Sequence, residues 1–164
     1  MPHDLPAETS SQRETCAVVL AHLSDPHLPP PAVRWWEALN KRALSLISWK
    51  KHRRHVHLAA TCAEIVQDIA RANVDAILVS GDLTNLGTPA EFTLAAEWLE
   101  KLPAQALVIP GNHDCMIRQS PEKGILQWEK WSAATYPYAR IHNGVAIIGV
   151  NSGIPTPPFM AYGR

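Results

Sequence analysis

Three short apolar runs along this chain end abruptly in clusters of polar side chains. The runs cover residues 17–23, 75–80 and 106–109, and segments with helical spacing of apolar residues separate them. An alternation of strands and helices predicts βαβ units and therefore a parallel sheet. In open α/β sheets, ligands bind at the carboxyl ends of the strands, so the three polar clusters should meet at one edge. The clusters are Asp25-x-His27, Gly81-Asp82 and Gly111-Asn112-His113-Asp114.

The spacing of apolar residues predicts four helices and one hairpin around these strands. The helices are expected over residues 35–49, 58–72, 88–102 and 125–134. Thr88, Pro89 and Glu91 are typical of a capping box with proline in the first turn, which fixes the start of the third helix. Asn143 and Gly144 predict a tight turn between strands 138–142 and 145–150. The first strand, 17–23, is apolar enough to be buried on both faces.

The residue types in the three clusters suit a divalent metal ion. Carboxylate oxygens and imidazole nitrogens are ordinary ligands of zinc, manganese and iron, and the amide of Asn112 adds a neutral oxygen. Asp25 and His27 stand two apart on an extended chain and project to the same side. Gly81 permits a close approach of the backbone, which leaves Asp82 free to offer one oxygen to each of two ions. Asp25-x-His27 and Gly81-Asp82 would each be typical of an ordinary turn, and the third cluster is rarer after a strand; the three in order, each at a strand end, indicate a site.

These clusters resemble the first three signature blocks of the calcineurin-like metallophosphoesterases. The resemblance runs from about residue 17 to residue 150, and the flanking phrases at 23–28 and 109–114 resemble the bacterial cyclic-nucleotide phosphodiesterase branch. It implies an α/β fold whose βαβ-built sheet layers form an αββα sandwich, incomplete at the C-terminus. It also implies two divalent metal ions: manganese, iron or zinc. The implied roles are Asp25 and His27 as ligands of the first ion, Asp82 of both, Asn112 of the second, His113 as the acid that protonates the leaving oxygen, and Asp114 as the residue that orients the His113 imidazole.

The chain departs from the family pattern after residue 114. Family members carry further metal-binding histidines in a Gly-His block and a Gly-His-x-His block, whereas the one later histidine here is His142, beside the predicted turn. The second ion then has two ligands, Asp82 and Asn112, which is too few for a dedicated site. We therefore expect residues 16–164 to be the N-terminal part of a metallophosphoesterase domain that is inactive alone. Residues 1–15 are expected to form a flexible leader.

A basic, tryptophan-rich helical insertion at residues 33–57 stands apart from the rest of the chain. Residues 34–57 hold seven basic residues and one acidic residue, although the whole chain has a formal net charge of zero. Three interpretations stay open: a cap helix that packs its tryptophan side on the core, a lid that draws an anionic phosphodiester towards the metal ions, and a peripheral contact with an anionic membrane. His52, His55 and His57 suggest a metal tract, but the surrounding cations favour solvated side chains.

Composition limits the remaining classes of function. At 164 residues the chain has the size of one domain, and fifteen basic against fifteen acidic residues give no global charge that would indicate nucleic-acid binding. Three scattered cysteines argue against a disulfide scaffold and fit a reducing compartment. No apolar stretch reaches the length of a signal-peptide core or a membrane span, so we expect a cytoplasmic protein.

The leading hypothesis is a metal-dependent hydrolase of phosphoric esters, with diesters favoured over monoesters. Its substrate would be a small phosphate ester or a lipid. The alternative is a catalytically inactive chain whose basic helix binds an anionic membrane surface or a partner protein.

Overall fold

The parallel sheet predicted from the sequence is present in the computed structural model, which describes residues 17–52, 55–56, 59–157, 160 and 163. The predicted leader at residues 1–15 and the insertion residues Arg53, Arg54 and His57 lie outside the described residues. In chain order the strands and helices are β1 (Leu20–Leu23), α1 (Arg42–Lys51), α2 (Ala59–Ala72), β2 (Ala76–Ser80), α3 (Pro89–Leu99), β3 (Gln105–Ile109), β4 (Tyr138–His142) and β5 (Val145–Gly149). Short 3-10 turns cover Trp35–Ala38, Pro121–Lys123 and Ile125–Trp128.

Strands β1, β2 and β3 form one parallel sheet in that order. In register, Ala21 pairs with Ile77, and Ile77 pairs with Ala106. Because the three strands run in the same direction, their carboxyl ends share one edge. Strands β4 and β5 pair in antiparallel fashion. Both residues of the turn between them have positive φ, 47° at Asn143 and 82° at Gly144, as a tight hairpin turn of this kind requires.

The core lies between one face of the parallel sheet and α3. Ile77, Val79 and Val108 on the strands are buried with Phe92 of α3 and with Trp128. The Trp128 indole N–H donates to the Phe92 carbonyl at 3.0 Å, so this large side chain is buried with its polar atom satisfied. The predicted capping box at Thr88 starts α3.

The hairpin lies against the other face of the sheet. The Tyr138 hydroxyl donates to the Val108 carbonyl at 2.9 Å. A cavity of about 330 Å³ separates the two layers, and side chains of β2, β3 and β5 line it, among them Leu78, Leu107 and Ile147. Helix, parallel sheet and hairpin are thus stacked as successive layers of an α/β sandwich, in agreement with the fold that the sequence predicted.

One strand and one helix differ from the sequence prediction. Strand β1 is not buried on both faces, because it is the outer strand of the described sheet and exposes Leu20 and His22. The helix expected over 125–134 is replaced by two 3-10 turns. The carbonyl of Trp131 accepts the N–H of Val108 at 2.8 Å, so this segment follows an outer edge of β3 instead of forming a helix. Such a tertiary bond is invisible to local apolar spacing.

The helix expected over 35–49 is also broken, into a 3-10 turn and α1. Asn40 lies at the break, where its side-chain oxygen accepts the N–H of Arg42 at 3.0 Å. This local bond satisfies a helix-start donor and favours a new helix over a continuation of the turn. None of the helices in the described part of the chain is both long and apolar enough to cross a bilayer.

Candidate metal and phosphate site

The loops that follow β1 and β2 lie side by side and continue the pairing of the two strands. The N–H groups of Asp25 and His27 donate to the carbonyl oxygens of Gly81 (3.2 Å) and Asp82 (3.0 Å). Three residues in these loops have left-handed backbone conformations, with φ of 52° at Asp25, 41° at His27 and 54° at Asp82. Such conformations cost roughly 1–3 kcal/mol each and cluster at functional sites. The sequence-predicted ligands are therefore held in strained positions by the surrounding backbone.

The loop after β3 approaches the loop after β2 at two glycines. A Cβ atom at Gly81 would lie 2.5 Å from the Gly111 nitrogen, and Gly81 has a φ of 88°. Only glycine fits there, which confirms the close approach predicted for Gly81. As a result, Asp25, Asp82 and Asn112 line one cleft of about 370 Å³.

Asp114 fastens the loops after β2 and β3 to each other. Its buried carboxylate accepts hydrogen bonds from the N–H groups of Asp82 (2.8 Å), Gly111 (2.9 Å) and Thr84 (2.9 Å) and from the Thr84 hydroxyl (2.8 Å). Burial raises the pKa of Asp114 to about 7; the backbone donors of Gly111 and Thr84 oppose the rise, and the charge of Asp82 adds to it. These bonds give Asp114 a role in holding the loops, whereas its role in orienting the His113 imidazole stays a prediction.

His27 presents one ring nitrogen to two carboxylates. Its Nδ1 lies 3.2 Å from the Thr84 carbonyl oxygen, a group that only accepts, so Nδ1 carries the proton of the neutral ring. Nε2 then bears the lone pair, and it lies 4.0 Å from Asp25 Oδ1 and 3.9 Å from Asp82 Oδ2. A carbonyl partner that fixes the tautomer in this way is the usual arrangement around a metal-ligating histidine.

His113 lies beside His27 at the same site. The two rings meet edge to face with their centroids 5.0 Å apart, and ligand atoms of His27, Asp82 and His113 all lie within 4.8 Å of one another. His113 Nδ1 lies 2.8 Å from the Asn85 carbonyl oxygen, which again places the Nδ1 proton on that bond. The structure thus brings His113 to the predicted ligands, and its role as an acid rather than a ligand stays a prediction.

The electrostatics of the cleft favour a bound cation. Burial raises the pKa of Asp82; the N–H and the charge of His113 lower it, and the nearby Asp25 raises it further. Two carboxylates that approach each other in a partly buried cleft disfavour joint ionisation unless a positive charge lies between them. The donor set of carboxylates, one imidazole nitrogen and one amide oxygen fits a divalent ion of the manganese, iron or zinc type.

Two residues that support the site, Asn85 and Ser45, escaped the sequence analysis, and a third, Glu91, was recognised for only part of its role. The Asn85 carbonyl holds His113, and the Ser45 hydroxyl of α1 donates to the same carbonyl at 2.8 Å and lies 3.5 Å from His113 Nδ1. Glu91 was predicted only as part of the capping box, yet its buried carboxylate also accepts the N–H groups of Asn85 and Leu86. Contacts made through a backbone carbonyl or amide produce no spacing pattern in the sequence. The capping box, which includes Glu91, is the exception among these three residues.

His142 lies far from this cleft. The neighbouring Asn143 donates to Asp75 Oδ1 at 3.0 Å, and Asp75 directly precedes β2, whereas Asp82 follows it. At about 3.3 Å per strand residue the two ends are roughly 20 Å apart. His142 therefore supplies no ligand to the cleft.

Comparison with known families decides where the chain belongs. The sequence model of the calcineurin-like phosphoesterase family matches residues 18–164. The chain belongs to this family. As a calcineurin-like phosphoesterase, it is a hydrolase-family member whose relatives use divalent metals, in agreement with the resemblance in the three strand-end clusters.

Curated relatives of this calcineurin-like phosphoesterase are named as phosphodiesterases. It is 32% identical over 99 residues to a glycerophosphodiester phosphodiesterase of Enterobacter lignolyticus, which covers 59% of this chain and 30% of the relative. It is 31% identical over 64 residues to a probable cyclic nucleotide phosphodiesterase of Vesicomyosocius okutanii, covering 39% of this chain and 28% of the relative. A probable cyclic nucleotide phosphodiesterase of Synechococcus is 36% identical over 52 residues, covering 32% and 20%. The chain thus matches less than a third of the length of each relative.

Proposed function

We propose that the cleft at the carboxyl edge of the sheet hydrolyses phosphodiesters with the help of two divalent metal ions. The observation that carries the proposal is the position of His27 Nε2, 4.0 Å from Asp25 Oδ1 and 3.9 Å from Asp82 Oδ2. Asp25, His27 and Asp82 would hold the first ion, and Asp82 and Asn112 the second. When bound, such ions polarise the phosphoryl oxygens and activate the attacking water.

The chain's own residues would supply binding and proton transfer. The His113 Nδ1–H is committed to the Asn85 carbonyl, so the proton given to the leaving oxygen would be carried on Nε2. A positioned acid of this kind contributes roughly 10²–10⁴-fold to the rate. Ser45, which contacts both Asn85 and His113, would keep the ring from rotating out of line.

The preference for diesters rests on the relatives, which are named for glycerophosphodiester and cyclic nucleotide phosphodiesterase activity. The substrate would be a small phosphodiester or a lipid. Because Asp82 and Asn112 are the only predicted ligands of the second ion, we further propose that residues 1–164 by themselves bind the second ion weakly and have negligible diesterase activity. Expression of residues 1–164 beside the natural gene product, with Mn²⁺ present, would test this, and comparable turnover by the two would contradict it.

Metal-dependent hydrolysis tests the proposed function. The intact protein with Mn²⁺ should hydrolyse bis(p-nitrophenyl) phosphate faster than p-nitrophenyl phosphate, and chelation should stop both reactions. Asp82→Asn should lower diester turnover at least about 100-fold, because it weakens the contact with both ions. Glu97→Gln, which removes a carboxylate on the exposed side of α3, is the matched control. Glu91 on the same helix is unsuitable as a control, because its carboxylate is buried and structural. Absence of metal-dependent turnover would overturn the proposal and favour the inactive, binding-only alternative. Full turnover in Asp82→Asn would overturn the proposal that this cleft carries the activity.

A further inference from the structure

Five large apolar side chains of residues 35–47 face solvent, whereas Trp49 near the end of α1 is buried. Trp35 is 72% exposed, Trp36 50%, Leu39 73% and Ile47 51%, and Leu44 is also exposed. We call these five residues the outer face. Surface tryptophans and leucines clustered within a few turns of chain mark a site of interaction.

Polar contacts on the opposite side of α1 fix this orientation. Arg42 is buried and donates from Nε to the Leu86 carbonyl at 2.7 Å and from Nη2 to the Gly87 carbonyl, and Ser45 donates to the Asn85 carbonyl at 2.8 Å. A rotation that buried Ile47 would break these bonds and leave a guanidinium without partners, which is costly. The outer face is therefore a built feature of the fold. The interpretation of a cap helix packed on its tryptophan side is wrong for Trp35 and Trp36, which are exposed, and agrees with the burial of Trp49.

Exposed cations flank the outer face. Arg34 precedes the turn and lies with its guanidinium carbon 5.3 Å from the Trp36 ring centroid, and Lys50 and Lys51 at the end of α1 are exposed. The one acidic residue of the segment, Glu37, accepts a hydrogen bond from the backbone N–H of Arg34 at 3.0 Å. Apolar side chains bordered by cations are typical of helices that lie in the interface of an anionic membrane.

We propose that the outer face docks on the surface of an anionic lipid bilayer. The tryptophans and leucines would enter the headgroup region while Arg34, Lys50 and Lys51 contact lipid phosphates. A second copy of the chain is a poorer occupant, because its own lysines and arginine would face these cations. Ser45, on the inner side of the same helix, lies 3.5 Å from His113 Nδ1. Docking would therefore place the phosphoesterase cleft about one helix diameter, roughly 10–12 Å, from the bilayer surface.

Vesicle sedimentation with the intact protein tests this docking. The protein should sediment with vesicles of phosphatidylcholine mixed with phosphatidylglycerol and not with phosphatidylcholine alone, and added salt should weaken the binding. Trp35→Ser with Leu39→Ser, and separately Lys50→Glu with Lys51→Glu, should each lower vesicle partitioning at least about tenfold. Ile141→Ser, an exposed apolar change on the hairpin, and Lys101→Glu with Lys123→Glu, exposed charge changes elsewhere, should leave partitioning unchanged.

The outcomes separate docking from catalysis. The double variants Trp35→Ser with Leu39→Ser and Lys50→Glu with Lys51→Glu should both hydrolyse soluble bis(p-nitrophenyl) phosphate at the rate of the parent protein. Equal hydrolysis also shows that the variants fold. Failure of the parent protein to bind anionic vesicles would overturn the docking proposal and leave the proposed function standing. Unchanged vesicle binding in both double variants would also overturn the docking proposal. The same holds if Trp35→Ser with Leu39→Ser converts a dimer to a monomer without loss of vesicle binding.

Discussion

At the scale of single residues, the site concentrates acidic groups where burial opposes their ionisation. Asp114 shows this most clearly, because burial raises its pKa to about 7 from an ordinary value of 3.8. In the absence of metal, the folded protein therefore holds a proton between about pH 4 and pH 7 that the unfolded chain has already released. The negative charge that favours a bound cation also lowers the stability of the folded loops when no cation is bound.

The pH dependence of stability should reveal this proton. With chelator present, the free energy of unfolding should fall as the pH rises from about 4 to about 7, because the folded state binds more protons than the unfolded state in this window. Urea unfolding at a series of pH values measures it, and Asp114→Asn should flatten the slope. Mn²⁺ should reduce or reverse the trend, since a bound cation favours the ionised form of Asp82, whose pKa is raised by burial. Stability that rises with pH in chelator would contradict the pKa assignment.

The convergence of the proposed ligand residues could be predicted from the sequence, because each follows an apolar run that is typical of a strand. Asp25, Asp82 and Asn112 needed only the rule that parallel strands end at one edge. The support of His113 could not be predicted in the same way. Asn85 contributes a backbone carbonyl, which every residue possesses, and Ser45 reaches the site from a helix whose docking depends on the tertiary fold.

At the scale of elements, α1 is held by the hydrogen bonds of two buried polar side chains together with one buried apolar side chain, Trp49. Arg42 and Ser45 are buried, whereas Leu39 and Ile47, two of the apolar residues whose spacing predicted the helix over 35–49, are exposed. Local periodicity assumes that apolar residues face the core. It failed here because the loop of residues 85–87 offers three carbonyl oxygens, to which a guanidinium and a hydroxyl are better partners than a methyl group. Helix α3 was predicted correctly because its capping box is a local signal.

Removal of the Arg42 guanidinium should loosen α1. Arg42→Ala leaves the Leu86 carbonyl without its charged donor, and such bonds contribute about 1.5–3 kcal/mol each. We expect the free energy of unfolding to fall by about 2–3 kcal/mol in urea titrations. Lys50→Ala, an exposed change on the same helix, should stay within about 0.5 kcal/mol of the parent protein. Equal stability of the two variants would show that α1 is not anchored through Arg42.

At the scale of the whole molecule, the order of strands positions the chemistry. Strand β2 lies between β1 and β3, so the loop that carries Asp82 lies between the loops that carry His27 and Asn112. A carboxylate at the middle strand can reach towards both neighbours, which is the position that a shared ligand needs. The sequence predicted this convergence from the alternation of strands and helices, whereas the exposure of β1 depends on which strand lies outermost in the sheet.

Calorimetric titration of Mn²⁺ into the metal-free intact protein tests the central claim that these loops form a metal site. The parent protein should bind at least one equivalent, and Asp82→Asn should bind at least about tenfold more weakly because the carboxylate nearest His27 Nε2 at the middle strand is lost. Glu97→Gln should bind as the parent protein does. Unchanged affinity in Asp82→Asn, or no binding by the parent protein, would contradict the account.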